Sequence, residues 1–226
     1  MGGRQLQAVL FDLDGTLADT APDLADALNG VLNEQGLKSL AYEQIRPIVS
    51  NGTNALIELG FGLDLDDTEF NGVRDRLLEI YTSNIANKTQ LFEGMERVLD
   101  EIEQRQLKWG VITNKPSWLT NPLMSALTLN DRAACIVSGD TTKYPKPHPA
   151  PMQFACKQAS VSPKHCLYIG DAQRDIDAGR EVGMTTLAAL FGYIGNNDSP
   201  EHWGADGYLH HPLDIIAWLD QPLTGS

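Results

Sequence analysis

The sequence predicts an α/β fold: a doubly wound parallel sheet carrying one inserted helical domain. Three observations support this. Short apolar runs recur along the chain and each stops at polar residues; helix-period stretches lie between them; and about 70 residues after the first run contain helical patterns only.

The first run, Val9-Leu10-Phe11, ends at Asp12-Leu13-Asp14-Gly15-Thr16. Lys108–Ile112 ends at Thr113-Asn114-Lys115, Ala134–Val137 at Ser138-Gly139-Asp140, Cys166–Ile169 at Gly170-Asp171, and Thr185–Leu190 at Phe191-Gly192. Runs this short and continuously apolar suit strands buried on both faces. Met95–Glu103 and Asp175–Gly183 have helical spacing, the second closed by a glycine. The region between the first two runs is too long for a simple connection. Apolar faces at Leu24, Ala27, Leu28, Val31, Leu32 and over Val73–Tyr81 make it helical, with turns expected at Gly60–Gly62 and Asp64–Asp67. The expected division is a core of residues 1–18 and 89–226 and an insertion of residues 19–88. Asn196–Pro200 reads as a loop and Pro222–Ser226 as a frayed tail.

The chain has 226 residues, with 42% hydrophobic and 21% charged content, as in an ordinary soluble protein. A net charge of −13 argues against a nucleic-acid backbone as partner. No segment resembles a membrane span or signal core, and Leu6 replaces the Ser or Thr that myristoylation at Gly2 would want, so the expected location is the cytoplasm. Cys135, Cys156 and Cys166 read as reduced, buried thiols. The sequence leaves open monomer or homodimer.

Asp12 and Asp14 are two residues apart at a strand end and point the same way, so their charges conflict. A divalent cation would resolve that conflict, which suggests phosphate chemistry with Mg²⁺. Asp12 is then the candidate nucleophile, and Asp14 the acid/base that protonates the leaving oxygen and activates water. The alternative is one helix cap and one solvated carboxylate. Thr113 and Asn114 could bind the phosphoryl oxygens, or cap the next helix. Lys146, stiffened by Pro145, Pro147 and Pro149, could balance the nucleophile and hold the phosphate; Lys143 and Lys115 compete for that role. Asp171 would complete a metal site with Asp12 and the Asp14 carbonyl, with Asp175 holding the neighbouring groups one turn on. Both could instead be an N-cap pair.

In chain order these motifs supply a nucleophile, an anion-binding hydroxyl, a cation and a metal carboxylate. The set, and the run Asp12-Leu13-Asp14-Gly15-Thr16-Leu17-Ala18-Asp19-Thr20 above all, resembles the haloacid dehalogenase superfamily over essentially the whole chain. The resemblance implies a Rossmann-like core, a Mg²⁺ requirement and an aspartyl-phosphate intermediate. The superfamily's dehalogenases lack the second aspartate, so Asp14 favours phosphoryl transfer. The insertion looks like the small cap of phosphoglycolate phosphatases and β-phosphoglucomutases, with Ser50, Asn51, Gly52, Thr53 and Asn54 at its specificity loop; an ordinary turn is the alternative. The implied activity is hydrolysis of a small phosphorylated metabolite, phosphoglycolate phosphatase-like. The Trp109–Pro116, Gly192–Ile194 and Trp203–Asp206 tracts are similar to N-acetylmuramic acid 6-phosphate phosphatases. A mutase would need a cap base, yet residues 19–88 contain no His; a phospho-accepting receiver module would be much shorter.

Overall fold

The computed structural model describes residues 5–195 and 198–221. The tail expected at Pro222–Ser226, Gly2, and Asn196 and Asn197 of the expected loop lie outside the described residues. In chain order the elements are β1 (Ala8–Phe11), β2 (Ala18–Asp19), α1 (Ala21–Glu34), α2 (Tyr42–Ile45), α3 (Thr53–Phe61), α4 (Phe70–Ser83), β3 (Gln90–Leu91), α5 (Met95–Gln104), β4 (Lys108–Ile112), α6 (Ser117–Ala126), β5 (Cys135–Val137), α7 (Ala150–Ala159), β6 (Cys166–Gly170), α8 (Gln173–Glu181), β7 (Thr185–Ala189), β8 (Gly207–Leu209) and α9 (Ile215–Leu219).

Six strands form one sheet in the order β5-β4-β1-β6-β7-β8, each paired parallel to its neighbours. Period-two alternation sorts the apolar runs onto two faces. Val9 and Phe11 join Val111, Leu167 and Ile169 under α5, α6 and α9. Ala8 and Leu10 join Ile112, Cys166 and Tyr168 under α7 and α8. With helices on both faces the sheet is doubly wound, and the five strands expected from apolar runs are all present. The three cysteines are buried free thiols.

Register places the functional ends side by side. Phe11 pairs with both Val111 and Ile169. The next residues on these strands, or one beyond, are Asp12, Thr113 and Asp171, so three separate motifs emerge at one carboxyl edge.

Helices α1 to α4 pack on one another beside that edge. Leu28, Val31 and Leu32 of α1 are buried against Leu56 and Ile57 of α3 and Val73, Leu77 and Tyr81 of α4. Each side chain so buried contributes about 1.5–3 kcal/mol of transfer free energy. Gly60 and Phe61 do not form the expected turn. They complete α3, because Gly60 lets α3 approach α1 until a Cβ would lie 2.9 Å from Leu28 Cδ1; the helix ends only at Gly62. The Asp64–Asp67 turn is present, with Asp64 N–H donating to Asp67 Oδ2 at 2.7 Å.

The segment expected to be inserted, 19–88, begins within β2 and ends just before β3, and these two short strands pair antiparallel. Asp23, near the start of α1, ties the crossings together. Its carboxylate accepts from Lys88 N–H at 3.0 Å, Thr89 N–H at 2.8 Å and Thr89 Oγ1 at 2.7 Å.

Candidate active site

Asp12 follows β1 and is 4% exposed. Its Oδ1 accepts from Leu13 N–H at 2.8 Å and faces Lys146 Nζ at 2.9 Å. Lys146 is fully buried, and its ammonium also meets Asp175 Oδ1 at 2.6 Å, the Ile112 carbonyl at 2.7 Å and Tyr168 OH at 2.9 Å. Asn114 locks this arrangement from the backbone. Its Nδ2 donates to the Lys146 carbonyl and its Oδ1 accepts from Lys146 N–H, both at 3.0 Å. Lys146 is therefore saturated by the protein and sits behind Asp12.

Thr113 Oγ1 accepts from Lys115 N–H at 3.1 Å. Helix α6 is capped at Pro116, so neither Thr113 nor Asn114 is its cap. Of the competing lysines, Lys143 is exposed beside the Tyr144 ring. Lys115 Nζ donates to Asp14 Oδ1 at 2.8 Å and to Tyr81 OH at 2.9 Å. Burial works against its charge, but Asp14 and Tyr81 outweigh that and hold Lys115 above its ordinary range. Asp14 Oδ1 also accepts from Thr20 Oγ1 at 2.7 Å.

Asp171 follows β6. Its Oδ2 accepts from Ser50 Oγ at 2.7 Å and Tyr193 N–H at 2.9 Å, while its Oδ1 is buried with no partner. Gly15 must be glycine here: φ is +82°, and a Cβ would lie 2.1 Å from Asp171 Oδ2. Asp12, Asp171 and Asp175 offer oxygens within 4.8 Å of one another. Both Asp175 oxygens are already taken, by Lys146 and Tyr168 and by Ala172 N–H. Asp12 Oδ2 and Asp171 Oδ1 have no protein donors among the described residues. Burial pushes the Asp12 carboxyl up to about 6, with Asp175 and Asp14 adding to it and Lys146 and Arg174 opposing. Burial, then Asp12 and Asp175, pushes Asp171 up to about 7. Two adjacent buried carboxylates, each with an unused oxygen, fit a hard divalent cation.

Asp12, Asp14, Thr113, Asn114 and Lys115 border a cavity of about 330 Å³. Ser50, Asn51, Gly52 and Thr53 line it together with Asp12 and Asp14, and Leu24, Val49, Leu56 and Leu119 form an apolar wall. Sequence reasoning missed four participants. Arg174 enters the cavity from α8 and donates to the Ser50 carbonyl at 2.6 Å. Tyr81 reaches Lys115 from α4. Tyr193 holds Asp171 by its N–H and bonds Asp19 Oδ1 and Ala21 N–H through its hydroxyl, at 2.7 and 2.9 Å. Arg46 packs over the Tyr193 ring and donates to the Phe191 and Gly192 carbonyls. Arg174 lies inside the Gly170–Asp175 motif and Tyr193 inside the Gly192–Ile194 tract, so those positions were the available signals.

The family model for haloacid dehalogenase-like hydrolases matches residues 9–189. An N-acetylmuramic acid 6-phosphate phosphatase of Pseudomonas putida is 41% identical over 98% of this chain and 99% of its own length. A phosphoglycolate phosphatase of Xanthomonas campestris pv. campestris is 39% identical over 94% of this chain and 97% of its own. A crystal structure described as a predicted phosphoglycolate phosphatase from Haemophilus somnus superposes with a TM-score of 0.84 at 26% identity, covering 96% of this chain and 99% of that one. By the extent of these matches and the strand-end groups they span, the chain belongs to the haloacid dehalogenase-like hydrolase family.

Proposed function

We propose that this protein is a Mg²⁺-dependent phosphomonoesterase acting on a small phosphorylated metabolite through an aspartyl-phosphate on Asp12. The observation that carries this reading is the pair of unused oxygens on Asp12, which lines the cavity, and on its neighbour Asp171, with Lys146 locked behind Asp12. Asp12 and Asp171 would hold the ion, which when bound stabilises negative charge on the phosphoryl oxygens. Asp12 attacks phosphorus through a carboxylate oxygen while the bond to the leaving oxygen breaks, and Asp14 gives that oxygen its proton. Asp14 then takes a proton from water as it attacks the aspartyl-phosphate. Lys115 and Thr20 hold the Asp14 carboxylate in place. Thr113 contributes its hydroxyl at the strand end, and Asn114 keeps Lys146 fixed rather than touching substrate. The segment 19–88 serves as a cap: Ser50 to Thr53 and the leucine wall close the cavity and exclude water.

The names of the two sequence relatives supply two substrates, 2-phosphoglycolate and N-acetylmuramic acid 6-phosphate. The cavity volume and its apolar wall favour the larger sugar phosphate, since a two-carbon acid would leave most of that wall unused. Comparing kcat/KM for the two tests this choice, and a preference for 2-phosphoglycolate would reverse it.

A further inference from the structure

Two cations line the cavity beside Asp12, Lys115 and Arg174. Lys115 is engaged by Asp14 and Tyr81, and Lys146 behind the cavity by Asp12 and Asp175. Arg174 is different. Its sole hydrogen bond among the described residues runs from Nη2 to the Ser50 carbonyl, and its Nε is buried with no partner. Burial opposes its charge, but Asp175, Asp12 and Asp171 hold it above its ordinary range, so it remains a guanidinium. A buried charged donor without an acceptor costs stability. A guanidinium with a spare donor at Nε matches an oxyanion.

We infer that Arg174 is a specificity residue that takes a carboxylate on the leaving-group side of the substrate, which makes the substrate class phosphomonoesters that also carry a carboxylic acid. The inference rests on the phosphomonoesterase reading above. Arg174 is anchored to the Ser50 carbonyl, at the head of the Ser50–Thr53 lining that the helical layer contributes to the cavity. The two substrates named for the relatives differ in size and in nearly every functional group. Both are phosphomonoesters bearing one carboxylate.

The test compares each acid with a partner that lacks the carboxylate: 2-phosphoglycolate against 2-hydroxyethyl phosphate, and N-acetylmuramic acid 6-phosphate against N-acetylglucosamine 6-phosphate. The readout is the ratio of kcat/KM within a pair, which is insensitive to loss of folded protein because both members suffer equally. The parent should prefer the acid in at least one pair. Arg174→Gln should lower that ratio by roughly tenfold to a hundredfold, as expected for a lost charge-assisted bond. Arg174→Lys, which keeps the charge without the fork, should lower it less. A parent with no preference for either acid, or an Arg174→Gln ratio equal to the parent's, overturns the inference. Failure of the parent to hydrolyse p-nitrophenyl phosphate as well as all four esters would instead overturn the phosphomonoesterase reading.

Discussion

Lys146 and Asp175 form an ion pair of 2.6 Å in which neither side chain is exposed at all. Asp12 shares the same ammonium at 2.9 Å. A buried pair of this kind adds little net stability while intact, but losing one partner strands the other. Lys146→Met should therefore cost about 3–5 kcal/mol. For a domain of this size that lowers the melting temperature by roughly 6–20 °C. Adding Asp175→Leu to that variant should recover part of the loss, as a thermal double-mutant cycle would record. A single variant melting with the parent would reject the argument.

Asp12→Asn should reduce Mg²⁺-dependent turnover of p-nitrophenyl phosphate to assay background while its circular dichroism matches the parent's. Asp14→Asn keeps the nucleophile and should slow turnover by about 10²–10⁴-fold, the usual worth of a positioned acid/base. Turnover at the parent's rate in either variant would remove the role assigned to that residue.

The carboxyls of Asp12 and Asp171, raised to about 6 and about 7 from an ordinary 3.8, set a pH signature for the metal-free protein. Between these limits the folded state binds more protons than the unfolded chain. The stability contributed by the two neutral carboxyls is full below about pH 4 and is lost as the pH rises through 6 and 7. A divalent cation binds the ionised pair, so its stabilising effect grows over the same window. Melting with excess EDTA or excess Mg²⁺ should give a small shift near pH 5 and roughly 5–10 °C near pH 8 at a hundredfold excess over Kd. Equal shifts at both pH values, or none, would contradict the site.

Gly192 leaves no room for a side chain: a Cβ would lie 2.4 Å from both Asp171 Cβ and the Gly15 carbonyl oxygen. Gly192→Ala should push Asp171 off its position and lower kcat by about 10²-fold, the effect of a misplacement near 1 Å. Its secondary structure should persist. Steady-state kinetics and circular dichroism together check this, and unaltered kcat would mean that the loop yields instead.

The residues legible in the sequence share one property: their signal is local. Asp12, Thr113, Lys146 and Asp171 each announce themselves by an apolar run that stops, or by a proline-stiffened loop. The contacts that refine their roles are not local. Lys115 meets Asp14 across 101 positions, Ser50 meets Asp171 across 121, and Arg46 meets Gly192 across 146. No periodicity encodes such pairs. Strand β8 went unnoticed because it has only three residues and its central Tyr208 is exposed. The turn expected at Gly60–Phe61 failed for a related reason. Glycine reads as a breaker until a neighbour such as Leu28 explains why a side chain is missing there.

Asp23 holds Lys88 and Thr89, so the outgoing and returning crossings between the helical layer and the sheet are strapped side by side. The layer thus hangs from one doubled tether rather than from two independent ends. Neither crossing can lengthen or twist without dragging the other. A single backbone cut at either crossing would leave the severed end still moored through this carboxylate.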